Sequence, residues 1–171
     1  TYYDRDYSLS KMTTESYIRD KRFEVIGIAV KYNDMPTRWY KSDDVGRFLE
    51  SVDFSDKFIL AHNTAFDGAI LSWHYNIKPK FWLDTMSMAR PKHSMTTGCS
   101  LSALAKHYEL GQKGTEVISA LGKRLEDVTS EELKQYGKYC INDVELTYKL
   151  WGKLSKLSLI HISEPTRLRT I

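Results

Sequence analysis

The chain has 171 residues, of which 42% are hydrophobic and 27% charged, with a formal net charge of +3. That balance excludes a disordered or fibrous polypeptide and fits one globular domain long enough to bury a core without staples. It also excludes inferring a nucleic-acid partner from charge alone, because such a footprint is normally a clustered excess of Lys and Arg.

"TTESYIRD" (Thr13 to Asp20) reads as a short helix capped by Thr13 or Thr14, with Glu15 in its first turn. "FEVIGIAVKY" (Phe23 to Tyr32) is nearly continuous in β-branched and apolar residues, the pattern of a strand buried on both faces. "TRWY" follows as its partner across the turn signal from Asn33 to Pro36. Asp43 and Asp44 open a helix through Leu49, "KFILAHN" is a short central strand, "TAFDGAILSWHY" a helix and "KFWLD" another strand. Short helices are expected from Thr85 to Arg90 and from Ser100 to His107. "ELGQKGTE" holds Gly111 and Gly114 without the Gly-Lys-Ser/Thr ending of a phosphate-binding P-loop, so it reads as a plain loop. The last element is a helix from about Ser130 to Leu154, opened by a capping box between Thr129 and Glu132. Strands alternating with helices give an α/β domain.

"LSLIHISEPTRLRTI" (Leu157 to Ile171) carries no period that continues this helix. From Leu157 to Arg167 it resembles, without a mismatch, the conceptual translation of a transposase-type sequencing adapter. The expectation is a natural domain over residues 1–156 and an adapter-derived tail over 157–171, the natural polypeptide being interrupted near Lys156. Cys99 and Cys140 are the only cysteines and share no CxxC or Cys/His spacing, which points to a reducing, cytoplasmic setting. No apolar run reaches the roughly 20 residues that span a bilayer, and the N-terminus lacks a secretory pattern, so no membrane partner is expected.

Two segments carry candidate chemistry. In "EELKQYGKYCINDVELTYKLW", Tyr139 and Asp143 lie one helical turn apart and present a phenol and a carboxylate side by side. Taken alone, the pair is also what a helix-surface hydrogen bond looks like. The stripe Leu133, Tyr136, Cys140, Val144, Thr147 and Trp151 is the expected core-facing seam. In "FILAHNTAFDGAIL" a strand stops at His62-Asn63 and a helix starts near Thr64, with Asp67 in its first turn. A carboxylate there complements the helix dipole, and Thr64 to Asp67 has capping-box spacing. That leaves Asn63 and Phe66 unexplained at a strand end, where open α/β sheets place ligands. Trp73, Trp82 and Trp151 sit on apolar stretches and read as core packing.

Together, "HNTAFD" and the later "YCIND" resemble the second and third motifs of the DEDD exonucleases, in the subgroup whose last motif is Tyr-x-x-x-Asp. The intervening "FWLDTMSMAR", with Asp84-Thr85 after a strand, also matches. "TYYDRDYSLSKMTTESYIRD" and "FEVIGIAV" are similar to the exonuclease domain of phage-type family A DNA polymerases, and the resemblance spans nearly all of residues 1–156. It implies a ribonuclease H-like fold, a mixed central sheet flanked by helices. It also implies two divalent metals, Mg²⁺ or alternatively Mn²⁺, clamping the scissile phosphate, a task suited to carboxylates because hard cations prefer oxygen. By motif, Asp143 resembles a ligand of the metal that activates water, Asp67 the carboxylate holding the second metal, and Tyr139 the phenol that orients the attacking water. Asn63 and Phe66 would support the nucleotide and its turn, with His62 beside them. No second histidine stands at ligand spacing from His62, which favours a structural use, as for His74, His93 and His107.

The family's first motif, Asp-x-Glu on the opening strand, is absent from the sequence. In similar proteins it directly precedes a Thr and a Tyr-rich stretch like "TYYD", so the expected domain lacks its first strand and the chain by itself is expected to be inactive. Asp4 and Asp6 carry no apolar strand and are poor substitutes. The parent protein implied by the resemblance removes nucleotides from a single-stranded or frayed 3′ end of DNA. It proofreads for a polymerase domain in the same parent chain, in the host cytoplasm if phage-encoded. The alternatives are a stand-alone DNA or RNA 3′-exonuclease and a non-catalytic nucleic-acid-binding domain of the same fold.

Overall fold

The computed structural model describes residues 1–114 and 122–163, with side chains as far as residue 157. Residues 115 and 116 of the expected loop and 164–171 of the expected tail lie outside that description. Thr13 caps the first helix, α1 (Thr14–Arg19), its hydroxyl accepting from the Ser16 N–H at 3.1 Å. β1 (Gly27–Val30) and β2 (Arg38–Lys41) form an antiparallel hairpin with Gly27 opposite Lys41 and Val30 opposite Arg38. After α2 (Ser42–Glu50), β3 (Phe58–Ala61) leads through α3 (Thr64–Trp73) to β4 (Phe81–Asp84). β3 and β4 lie parallel, so Ala61 and Asp84 finish side by side. Then come α4 (Thr85–His93), α5 (Leu101–His107), a 3₁₀ turn (Leu125–Asp127) and α6 (Ser130–Ser163). The capping box forms as expected: the Thr129 N–H donates to Glu132 at 2.9 Å, and the Glu132 N–H donates to the Thr129 hydroxyl at 3.3 Å.

Mixed α/β character is present, but among the described residues the strands form two separate pairs, β1–β2 and β3–β4, and not one mixed sheet. Each strand is four residues long, and both pairs lie against α6. β1 is half-buried along its length, not buried on both faces, because among the described residues its only ladder is to β2. α4 runs through Pro91 to His93, past the expected Arg90 end. α6 likewise passes Leu154 and continues to Ser163; no Gly or Pro interrupts residues 153–164, and Leu157 joins the cluster that holds Leu154.

Three apolar clusters hold these elements. α4, α5 and α6 bury Ala89, Leu101, Leu104, Leu146, Leu150 and Leu154 together. Tyr7 and Tyr17 stack at 4.4 Å beneath α1 and α3 with Tyr2, Ile18 and Ile70. Val45 and Leu49 of α2 meet Leu71 of α3. The buried seam of α6 is therefore Leu146, Leu150 and Leu154 with Thr147, whereas Leu133, Tyr136, Cys140, Val144 and Trp151 of the expected stripe are half-buried. Trp73 and Trp82 are exposed, not in the core: Arg19 lies over the Trp73 ring at 5.1 Å, and Trp82 rests against Gly68.

One close approach sets the distance between α6 and the hairpin. A Cβ on Gly137 would lie 3.0 Å from the Trp39 ring, and one on Gly27 would lie 2.3 Å from the other side of the same indole. Two glycines thus seat Trp39 between β1 and α6, two residues before Tyr139.

Candidate active site

The expected site residues gather where the parallel strands end. β3 runs out through His62 to Asn63, which adopts the left-handed conformation (φ 69°, ψ 54°) that Asn tolerates better than most residues. That conformation turns the chain sharply into α3. Asp84, at the end of β4, holds it: the Asn63 N–H donates to Asp84 Oδ1 at 2.9 Å, and the same carboxylate caps α4 by accepting from the Met86 N–H at 3.0 Å and the Ser87 hydroxyl at 2.7 Å. Burial alone would push the Asp84 carboxyl up, but these bonds outweigh it and hold its pKa below the usual carboxylate value.

The expected capping box between Thr64 and Asp67 does not form. Asn63 is the cap residue, without a side-chain cap bond, and the Thr64 hydroxyl donates to the Leu83 carbonyl at 2.6 Å. The Asn63 side chain is left exposed at the strand end. Phe66 points into the tyrosine cluster, 5.9 Å from Tyr17 between ring centres, so its service to the site is to brace the turn. His62 is engaged at both ring nitrogens: Nε2 lies 2.9 Å from the Cys99 carbonyl and Nδ1 2.9 Å from the Thr85 hydroxyl. A carbonyl only accepts, so Nε2 carries the proton, and a neutral ring takes at Nδ1 the single Thr85 hydroxyl proton, for which the Ala61 carbonyl at 3.3 Å competes. Burial lowers the His62 pKa, which suits this neutral form. His62 therefore ties β3 to α4 and the chain before α5.

α6 brings the second half of the site. Tyr139 and Asp143 stand, half-buried, on the helix face that continues into Leu146, Leu150 and Leu154. Asp143 and Asp84 both push the Asp67 carboxyl up, which shows that residues far apart in sequence share one electrostatic neighbourhood. Desolvation of the carboxyl is the largest cause and pushes it up to about 6, although the residue as a whole is exposed and solvent screens much of that penalty. Burial raises the Tyr139 pKa, with Asp143 acting in the same direction and Lys113 opposing, so the phenol keeps its proton.

Lys113 is a member of the site that sequence reasoning passed over. Its Nζ lies 3.1 Å from Asp143 Oδ2 and 5.4 Å from the centre of the Tyr139 ring. Nothing in "GQKG" marks it, since its partners come from α6. The nearest clue was position, a lysine in a loop that does not match a P-loop.

Divalent cations can be tested against this donor set. The other oxygen of Asp143, Oδ1, is buried without a hydrogen-bond partner, and Asp67 and Asp143 are hard oxygen ligands. Yet among the described residues no three acidic, histidine or cysteine side chains stand close enough together to hold an ion. Asp84, which also acts on Asp67, has its oxygens committed to Asn63, Met86 and Ser87. The residues present make part of a divalent-cation site and not a whole one.

No helix among the described residues is long and apolar enough to cross a membrane. No match is found among curated proteins or among solved structures. A family model described as 3′–5′ exonuclease matches residues 13–158, a span that holds Asn63, Asp67, Tyr139 and Asp143 and most of the chain. The chain belongs to the 3′–5′ exonuclease domain family of the family A DNA polymerases.

Proposed function

We propose that this domain removes nucleotides from the 3′ end of DNA and proofreads for a polymerase domain of the same parent protein. The observation that carries this reading is the convergence of Asp67, from the start of α3, with Tyr139 and Asp143, from α6, at the open ends of two parallel strands. Protonated Tyr139 is suited to orienting an attacking water, since positioning needs a hydrogen-bonding phenol and no ionised oxygen. In this reading Asp143 and Asp67 would serve metal ions of the Mg²⁺ type, and the exposed Asn63 amide would meet the terminal nucleotide. Two carboxylates are too few for a pair of divalent ions, so the chain with this sequence is proposed to be inactive until an Asp-x-Glu strand is supplied.

The non-catalytic alternative, a nucleic-acid-binding domain of the same fold, is favoured by that one short donor set. Release of nucleotides from 5′-labelled single-stranded DNA in Mg²⁺ separates the readings. The chain alone is expected to release none, the chain extended by a strand bearing Asp-x-Glu to digest from the 3′ end, and Asp143→Asn in the extended chain to lose at least about a hundredfold. Digestion by the unextended chain would overturn the proposed inactivity, and an inert extended chain would overturn the nuclease reading.

A further inference from the structure

β3 and β4 open on the same dipeptide, Lys57-Phe58 and Lys80-Phe81, and their parallel register sets Phe58 directly beside Phe81. The two rings stack at 5.4 Å between centres and 10° between planes, and the residues are 57% and 55% exposed. A lone exposed ring needs no explanation, but a matched pair held open to water by the ladder does. The backbone fixes the pair: the Lys80 and Phe81 N–H groups both donate to the Lys57 carbonyl, at 2.9 and 3.4 Å. Tyr32, 56% exposed beyond the end of β1, also lies near, since after Asp56 it is the side chain that most raises the Lys57 pKa.

Charge decides which partner fits. Asp56 is paired with Lys57, and Asp53 accepts from the Ser55 N–H at 2.9 Å. Lys78 and Lys80 are exposed and make no ion pair among the described residues, so two unopposed ammonium groups lead into Phe81. A protein partner needs about 800 Å² of matched surface a side, and Asp56, Lys57, Lys78 and Lys80 break the apolar surface here. A nucleic-acid strand needs less: an aromatic face on which a base stacks, and positive charge for its phosphates.

We propose that Phe58 and Phe81, with Lys78 and Lys80, form an accessory binding surface for single-stranded DNA. It lies at the opposite end of β3 and β4 from the candidate active site, three residues or about 10 Å of strand away from Ala61 and Asp84. Bases stack on the rings while the lysines neutralise the backbone, so binding here uses no divalent ion and none of the acidic side chains of the site. The proposal goes beyond the exonuclease reading and does not depend on it; an inert extended chain leaves it standing.

Fluorescence anisotropy of a labelled oligothymidylate of about 12 nucleotides, titrated with the full chain in EDTA, tests it. Phe58→Ala with Phe81→Ala is expected to weaken binding at least about fivefold, and Phe58→Leu with Phe81→Leu, which keeps apolar bulk but no π-face, to weaken it as much. Lys78→Gln with Lys80→Gln should weaken binding and flatten the dependence of log affinity on log salt by about 0.7 for each lysine. No binding by the parent chain, affinity kept in either ring pair, or affinity and salt slope kept in the lysine pair overturns the proposal. Self-association of the parent chain that the ring variants abolish while DNA affinity is kept, read by sedimentation, would overturn it too and make the rings a protein interface.

Discussion

The two halves of α6 use one face of one helix for opposite purposes. From Leu146 to Leu154 that face meets α4 and α5, and Leu150 is wholly buried there. A turn earlier the same face carries Asp143 and Tyr139, meets a lysine, shares its surroundings with a second carboxylate and leaves one oxygen of Asp143 unpaired. Apolar burial supplies the free energy that orders the helix, and the polar half is held in place by it. A polar site of like charges could not have organised its own backbone, so the leucine half acts as its support.

Breaking the leucine half should have the largest effect. Leu150→Ala leaves a cavity in the cluster of α4, α5 and α6 and is expected to destabilise the domain by about 2–5 kcal/mol in urea denaturation. Gly137→Ala strikes the junction of the halves. Alanine favours a helix by about 1 kcal/mol, but its Cβ meets a Trp39 ring already held on its far side at Gly27. The indole has little room to yield, so a net loss of about 1–2 kcal/mol is expected, and a net gain would show that Trp39 moves.

The polar half should respond with the opposite sign and a smaller size. Asp67 holds its proton more tightly folded (about 6) than at its ordinary value of 3.8. At this group the folded state therefore binds more protons between those values, and its contribution to stability falls as pH rises through that window. Asp67→Asn should flatten the fall and raise stability at pH 7 on the order of 1 kcal/mol, solvent screening having been allowed for. A stability difference between Asp67→Asn and the parent chain that stays constant from pH 4 to 6 would contradict the placement of Asp67 among carboxylates.

Much of the local structure could be read in advance, for reasons that differ from element to element. Thr13 and the Thr129–Glu132 pair act within a few residues of themselves, so their caps formed as read. The Thr64–Asp67 spacing failed as a capping box because the Thr64 hydroxyl found a better acceptor on β4, a strand that local reading cannot place beside it. The inward face of α6 was misplaced for a similar reason. Half-buried Tyr136, Cys140 and Val144 are apolar enough to suggest a seam, but only the positions of α4 and α5 select Leu146, Leu150 and Leu154.

What the amino-acid order by itself determined is the succession of short strands and helices and the two motifs that place the chain in its exonuclease family. Such features are set by neighbours within a turn or two, where propensity and capping act. Only the tertiary structure decided that Asp84 would pin the left-handed Asn63, that His62 would be spent at both nitrogens, and that Lys113 would stand on Asp143. These depend on surfaces joined by packing between distant segments. The charge environment of a carboxylate is a property of that assembly, and no single segment contains it.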